Sequence, residues 1–96
     1  MTTMKEQRIV WILSELSRRI AEYNTTMDDL KDDFNHSRRA SMQIRKAAHK
    51  TIAMADVAMN RFLAIASANN INEECPMFET FHKRCKMFNH LELFFH

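Results

Sequence analysis

Arg38, Arg39, Arg45, Lys46, His49 and Lys50 carry the strongest chemical signal in the chain. At 100° per residue these six side chains fall within about 140° of one another on a single helix face. Met42 stands among them, at i, i+3 and i, i+4 spacings from the cations on either side. A solvated charged face would carry Gln or Glu there, and a flexible thioether adapts to the surface of a partner. The stripe is therefore read as a docking face for a protein with an acidic surface. Its alternative is a solvated face neutralised within the chain by Asp28, Asp29, Asp32 and Asp33. A nucleic-acid backbone would also be attracted to it. No aromatic interleaves the cations, which weakens single-strand binding, and the net charge of +2 weakens duplex binding.

Other chemically able residues are spaced poorly. His82 and Cys85 share a face at i, i+3, but His90 lies five residues on and Cys75 ten before, so no metal ligand set forms. Cys75 and Cys85 read as free thiols of a reducing, cytoplasmic environment. Arg38-Arg39-Ala40-Ser41 fits a basic kinase pattern, but Ser41 falls on the expected core face. No nucleophile–base arrangement or isolated pair of carboxylates in an apolar setting can be placed, so the chain reads as a non-enzyme without cofactor or metal. Glycine is absent, which excludes the Gly-rich phosphate loops of the common nucleotide-binding folds.

The elements that position these residues are helices. Ala, Leu, Ile, Met, Lys, Arg and Glu dominate, and Pro76 is the single proline. Ile9, Leu13, Leu16, Ile20, Tyr23, Met27, Leu30 and Phe34 follow at alternating steps of four and three, a heptad seam that must be buried against another helix. Thr3 and Glu6 form a capping box before it. Asn24-Thr25-Thr26, with Asp28 and Asp29 behind, reads as a break and a second N-cap. A break at Asn35-His36-Ser37 would set Asp32 and Asp33 at a helix C-terminus and Arg38 and Arg39 at an N-terminus, against the macrodipole.

The expected elements are thus helix 1 over about 4–23, helix 2 over about 26–69 and helix 3 over about 76–94, in one domain spanning 1–96. Asn69-Asn70-Ile71-Asn72 ends the second helix, asparagine being the best left-handed substitute for glycine, and Pro76 suits the first turn of the third.

Ala40, Ser41, Ile44, Ala47, Ala48, Thr51, Ala55, Ala58, Met59, Phe62 and Ala66 share one face of helix 2, and their small size demands a close neighbour. The fold class is all-α: an elongated, coiled-coil-like helical bundle in which two shorter helices pack antiparallel on one long central helix. Such a thin core predicts a homodimer. Its contact is expected along Val10, Trp11, Leu13, Leu16 and Ile20, where the helix is apolar around most of its circumference.

Five of the seven phenylalanines lie in the last 19 residues, and Phe94 and Phe95 have no evident cover. The longest apolar runs, five residues each at Ile9–Leu13 and Phe62–Ala66, are too short to span a membrane. The chain is accordingly expected to be a small cytoplasmic binding protein that regulates or inhibits a macromolecular partner, with nucleic-acid regulation as the alternative.

Overall fold

Residues 3–37 and 41–96 are described by the structure, a computed structural model. Within them the chain forms α1 (Met4–His36), α2 (Ser41–Ala68) and α3 (Pro76–Glu92), the last continued by a 3-10 turn at Leu93–Phe95. No strand occurs among the described residues.

α1 starts as its sequence predicts, with the amide of Glu6 donating to Thr3 Oγ1 at 3.1 Å. It does not stop at residues 24–26. The expected boundaries of about 4–23 and about 26–69 are corrected to Met4–His36, a helix of 33 residues, and Ser41–Ala68. The physical reason lies in the side chains that looked like breakers. Thr25 and Thr26 donate their hydroxyls to the carbonyls of Ala21 and Glu22, at 3.3 and 3.1 Å, an accommodation that threonine makes inside helices. Asn24 is buried, and its Nδ2 donates to the carbonyl of Arg84 at 3.0 Å. Continuing the helix keeps Met27, Leu30 and Phe34 against the core, at about 1.5–3 kcal/mol for each fully buried side chain. The adverse macrodipole at the later break costs only about 0.3–1 kcal/mol per charge. His36 moderates it further, its ring Nδ1 donating to the carbonyl of Asp32 at 2.7 Å.

The end of α2 follows the expectation for asparagine. Asn70 takes a left-handed φ of 54°, and the amide of Ile71 reaches back to the carbonyl of Ala66 at 3.0 Å while that of Asn70 reaches Ser67 at 3.2 Å. This is the Schellman arrangement with asparagine in the glycine place. Pro76 opens α3 at its first turn.

α1 is the spine that both other helices share, so the expected central position of helix 2 is corrected as well. α2 returns antiparallel to α1, and Arg45 near its start meets Phe34 near the end of α1. α3 runs parallel to α1: Met77 meets Ser14, Arg84 meets Ser17 and Asn24, and Phe94 meets Phe34. The molecule is extended, 56 × 19 × 17 Å. All eight residues of the seam belong to the core or pack on it. From α2 the core receives Ile44, Ala48, Thr51, Ala55, Ala58, Phe62 and Ala66, whereas Ala47, expected among them, is exposed. Ala40 lies outside the described residues. Phe62 is fully buried, stacked on Phe81 with centroids 3.7 Å apart and edge-on to Phe78 at 5.3 Å. The aromatic end of the chain is covered in part, correcting the expectation of a bare tip for Phe95 but not for Phe94, which stays 36% exposed. Phe34 of α1 meets Phe94 and Phe95 edge-on at 5.5 and 6.2 Å, leaving Phe95 only 2% exposed.

Continuity of α1 is open to a direct check. Thr25→Pro, harmless in a loop, removes an intrahelical donor and clashes with the carbonyl of Ala21. It should cost about 3 kcal/mol or more in urea unfolding.

Candidate protein-interaction surface

Met42, Arg45, Lys46, His49 and Lys50 all project from the first half of α2 and are exposed, Met42 to 71%. Arg38 and Arg39 lie outside the described residues. Arg45 does more than face solvent, since its guanidinium covers the ring of Phe34 at 5.2 Å from the centroid. Among the described residues the ion pairs Glu15–Arg18, Arg18–Glu22 and Glu79–Lys83 run within single helices, and His96 past the end of α3 contacts Glu92. None joins the stripe to Asp28, Asp29, Asp32 or Asp33, so the described cations of the stripe keep their charge for an external group.

The residues expected at a self-association surface are divided by the structure. Val10 and Trp11 are exposed, Trp11 to 64%. Leu13, Leu16 and Ile20 are buried in the core of their own chain, because α2 and α3 already cover that side of α1. Leu13 and Ile20, fully buried, offer a second copy no surface, whereas Leu16 keeps a 5% exposed edge.

A further feature, which the sequence pattern did not reveal, lies along the open edge between α1 and α2. Two adjoining hollows of about 250 and 310 Å³ run there. The first is lined by Trp11, Ile12, Glu15, Leu16, Arg19, Arg61 and Ile65. Leu16, Arg19, Tyr23, Ala53, Met54, Val57, Ala58 and Arg61 line the second. Leu16, Arg19 and Arg61 line both, so the two arginines belong to the wall that the hollows share. No residue of α3 lines either hollow. The signal was available in α2, where Gln43, Ala47, Lys50, Met54, Val57, Arg61, Ala64 and Ala68 repeat the heptad steps of α1, and every one of them is exposed.

The electrostatics of this edge follow from one competition on α1. Glu15 and Glu22 stand four residues before and three after Arg19, where either could neutralise it. Both turn to Arg18 instead. Arg18 gives Glu15 two hydrogen bonds, at 2.7 and 3.3 Å, and contacts Glu22 with its remaining terminal nitrogen. Hydrogen bonding from Arg18 holds the Glu15 carboxyl below its ordinary value, and the nearby Arg19 adds a smaller push in the same direction. Arg61 has Val57, Ala58, Ala64 and Ile65 at the corresponding positions, with no acid among them. Among the described residues, neither Arg19 nor Arg61 has an ion-pair partner.

Among the described residues no three His, Cys, Asp or Glu side chains converge. Cys75 and Cys85 are free and half-buried. No helix of the described residues is long and apolar enough to cross a membrane. The chain matches no protein-family model, and no curated protein or solved structure is significantly similar to it.

Burial pushes the Cys85 thiol from an ordinary value of 9.0 up to about 11. The folded state thus favours the neutral thiol, a contribution fully present below pH 9 and lost as pH rises through the folded value. At pH 8 the thiolate, which is the reactive form, should be about a hundredfold scarcer in the folded protein than in urea. Iodoacetamide labelling read by peptide mass should slow accordingly at Cys85.

Proposed function

We propose that this chain is a non-catalytic, cytoplasmic binding module that regulates or inhibits a protein partner with an acidic surface. The observation that carries this reading is the exposed first half of α2, where Met42 stands among Arg45, Lys46, His49 and Lys50 and none of them has an ion partner among the described residues. Exposed cations steer encounter, while a desolvated apolar anchor supplies affinity. Met42 offers that anchor, and its unbranched chain fits an irregular partner pocket. The dispersal of the acids along helix surfaces supports binding over chemistry.

Co-purification of the full chain from its native cells at moderate salt, followed by affinity measurement on the retained protein, tests the reading. Met42→Glu combined with Lys46→Glu should weaken the complex by roughly tenfold or more, each tenfold being 1.4 kcal/mol, while circular dichroism and melting stay as in the parent. Equal affinity for the parent and the variant would reject the stripe as the docking face. Retention of nucleic acid that is lost steeply with rising salt would transfer the function to backbone phosphate binding.

A further inference from the structure

Beyond the stripe, we propose that the open edge between α1 and α2 is a helix-receiving groove. Its occupant is an amphipathic helix of a partner protein, bearing a carboxylate that Arg19 and Arg61 grip together. The proposal rests on the reading of the chain as a binding module and assigns a second surface to it.

The groove has the form that a helix needs. Along α2 the repeat from Gln43 to Ala68 presents Ala47, Ala64 and Ala68 at three of its eight positions, and small side chains let another backbone come close. Met54 and Val57 are exposed at the middle of that repeat, and Trp11 stands exposed at the far hollow. An amphipathic helix laid along such a seam buries its own i, i+3, i+4 and i+7 residues in the hollows. Tryptophan, tyrosine and arginine are the residues that most often dominate such contacts, and Trp11, Tyr23, Arg19 and Arg61 supply all three types.

Charge selects the occupant. Glu15, which lines the first hollow, and Glu22 both bond to Arg18, and α2 places no acid within a turn of Arg61, so among the described residues the two arginines shared by the hollows have no ion-pair partner. A guanidinium fork binds carboxylate with paired, charge-assisted hydrogen bonds. The apolar walls around it lower the competition from water. A second copy fits less well. In the antiparallel register that overlaps the whole α2 repeat, residues summing to 111 face each other, and Lys50 of each copy meets Arg61 of the other. Like charges set opposite each other in a buried seam disfavour that pairing.

The probe is a displayed library of 21-residue amphipathic helices with a randomised apolar seam and randomised flanks, selected on the full chain. Recovered helices should carry Asp or Glu beside the seam and shift the fluorescence of Trp11, the one tryptophan of the chain. Arg19→Gln and Arg61→Gln, both at exposed positions, should each weaken a recovered peptide by roughly tenfold, as for hydrogen bonds to charged groups, without changing the melting temperature. Met42→Glu with Lys46→Glu should leave peptide affinity unchanged, which separates this groove from the stripe. The proposal is overturned by a library that yields no binder, by binders without acid enrichment, by affinities indifferent to both arginine substitutions, or by sedimentation at twice 11.4 kDa with the groove closed.

Discussion

α2 turns a face of Ala48, Thr51, Ala55, Ala58 and Ala66 toward α1, and the dimensions of the molecule follow from the smallness of those side chains. Helices approach to the near end of the usual 8–10 Å when one contributes so little volume. The space between them is then filled almost wholly from α1, by Leu13, Leu16, Ile20 and Met27. Bulk from α2 enters chiefly through Phe62. That ring cannot be covered by α1 alone, and α3 closes over it with Phe78 and Phe81. A narrow bundle results, 19 × 17 Å across, in which a 17-residue third helix covers one side of a two-helix hairpin. Among the described residues no helix lies on the other side.

Polar side chains set how α3 lies on α1. Ser17 accepts from Arg84 Nη1 at 2.7 Å, and Asn24 donates to the Arg84 carbonyl. Asn24 Oδ1 is buried without a partner, a deficit of about 1–3 kcal/mol. One buried amide in a seam otherwise built of Leu, Ile and Met can fix register at a cost in stability, as an asparagine does in coiled coils. Shifting α3 by one turn would take the Arg84 guanidinium away from Ser17.

Much of this arrangement is legible in the residues themselves. The eight-residue seam, the Thr3 cap, the left-handed Asn70 and Pro76 at the head of α3 all act through local rules, and each appears where those rules put it. The helix break was harder because Asn24, Thr25 and Thr26 are good cap residues and equally able to bond inside a helix; only the burial of Met27, Leu30 and Phe34 decides between the two. Leu13, Leu16 and Ile20 were legible as buried, but periodicity does not say whether the burying helix belongs to the same chain. Phe34 as the cover of Phe94 and Phe95 depends on α3 running parallel to α1, which no local pattern encodes. The second repeat of α2 was hidden by its composition, since Gln43, Lys50 and Arg61 interrupt an otherwise small and apolar seam and look like parts of a polar surface.

The isolated chain closes its own core and leaves one side of the α1–α2 hairpin uncovered. Solvent paramagnetic relaxation of the 96-residue protein by an inert gadolinium chelate measures this residue by residue. The account predicts strong enhancement at the Trp11 indole and at the side chains of Met54, Val57 and Arg61, with little at Leu13, Ile20, Met27 and Phe62. Protection of Met54, Val57 and Arg61 to the level of Phe62, or enhancement of Leu13 and Ile20 to the level of Trp11, would contradict it.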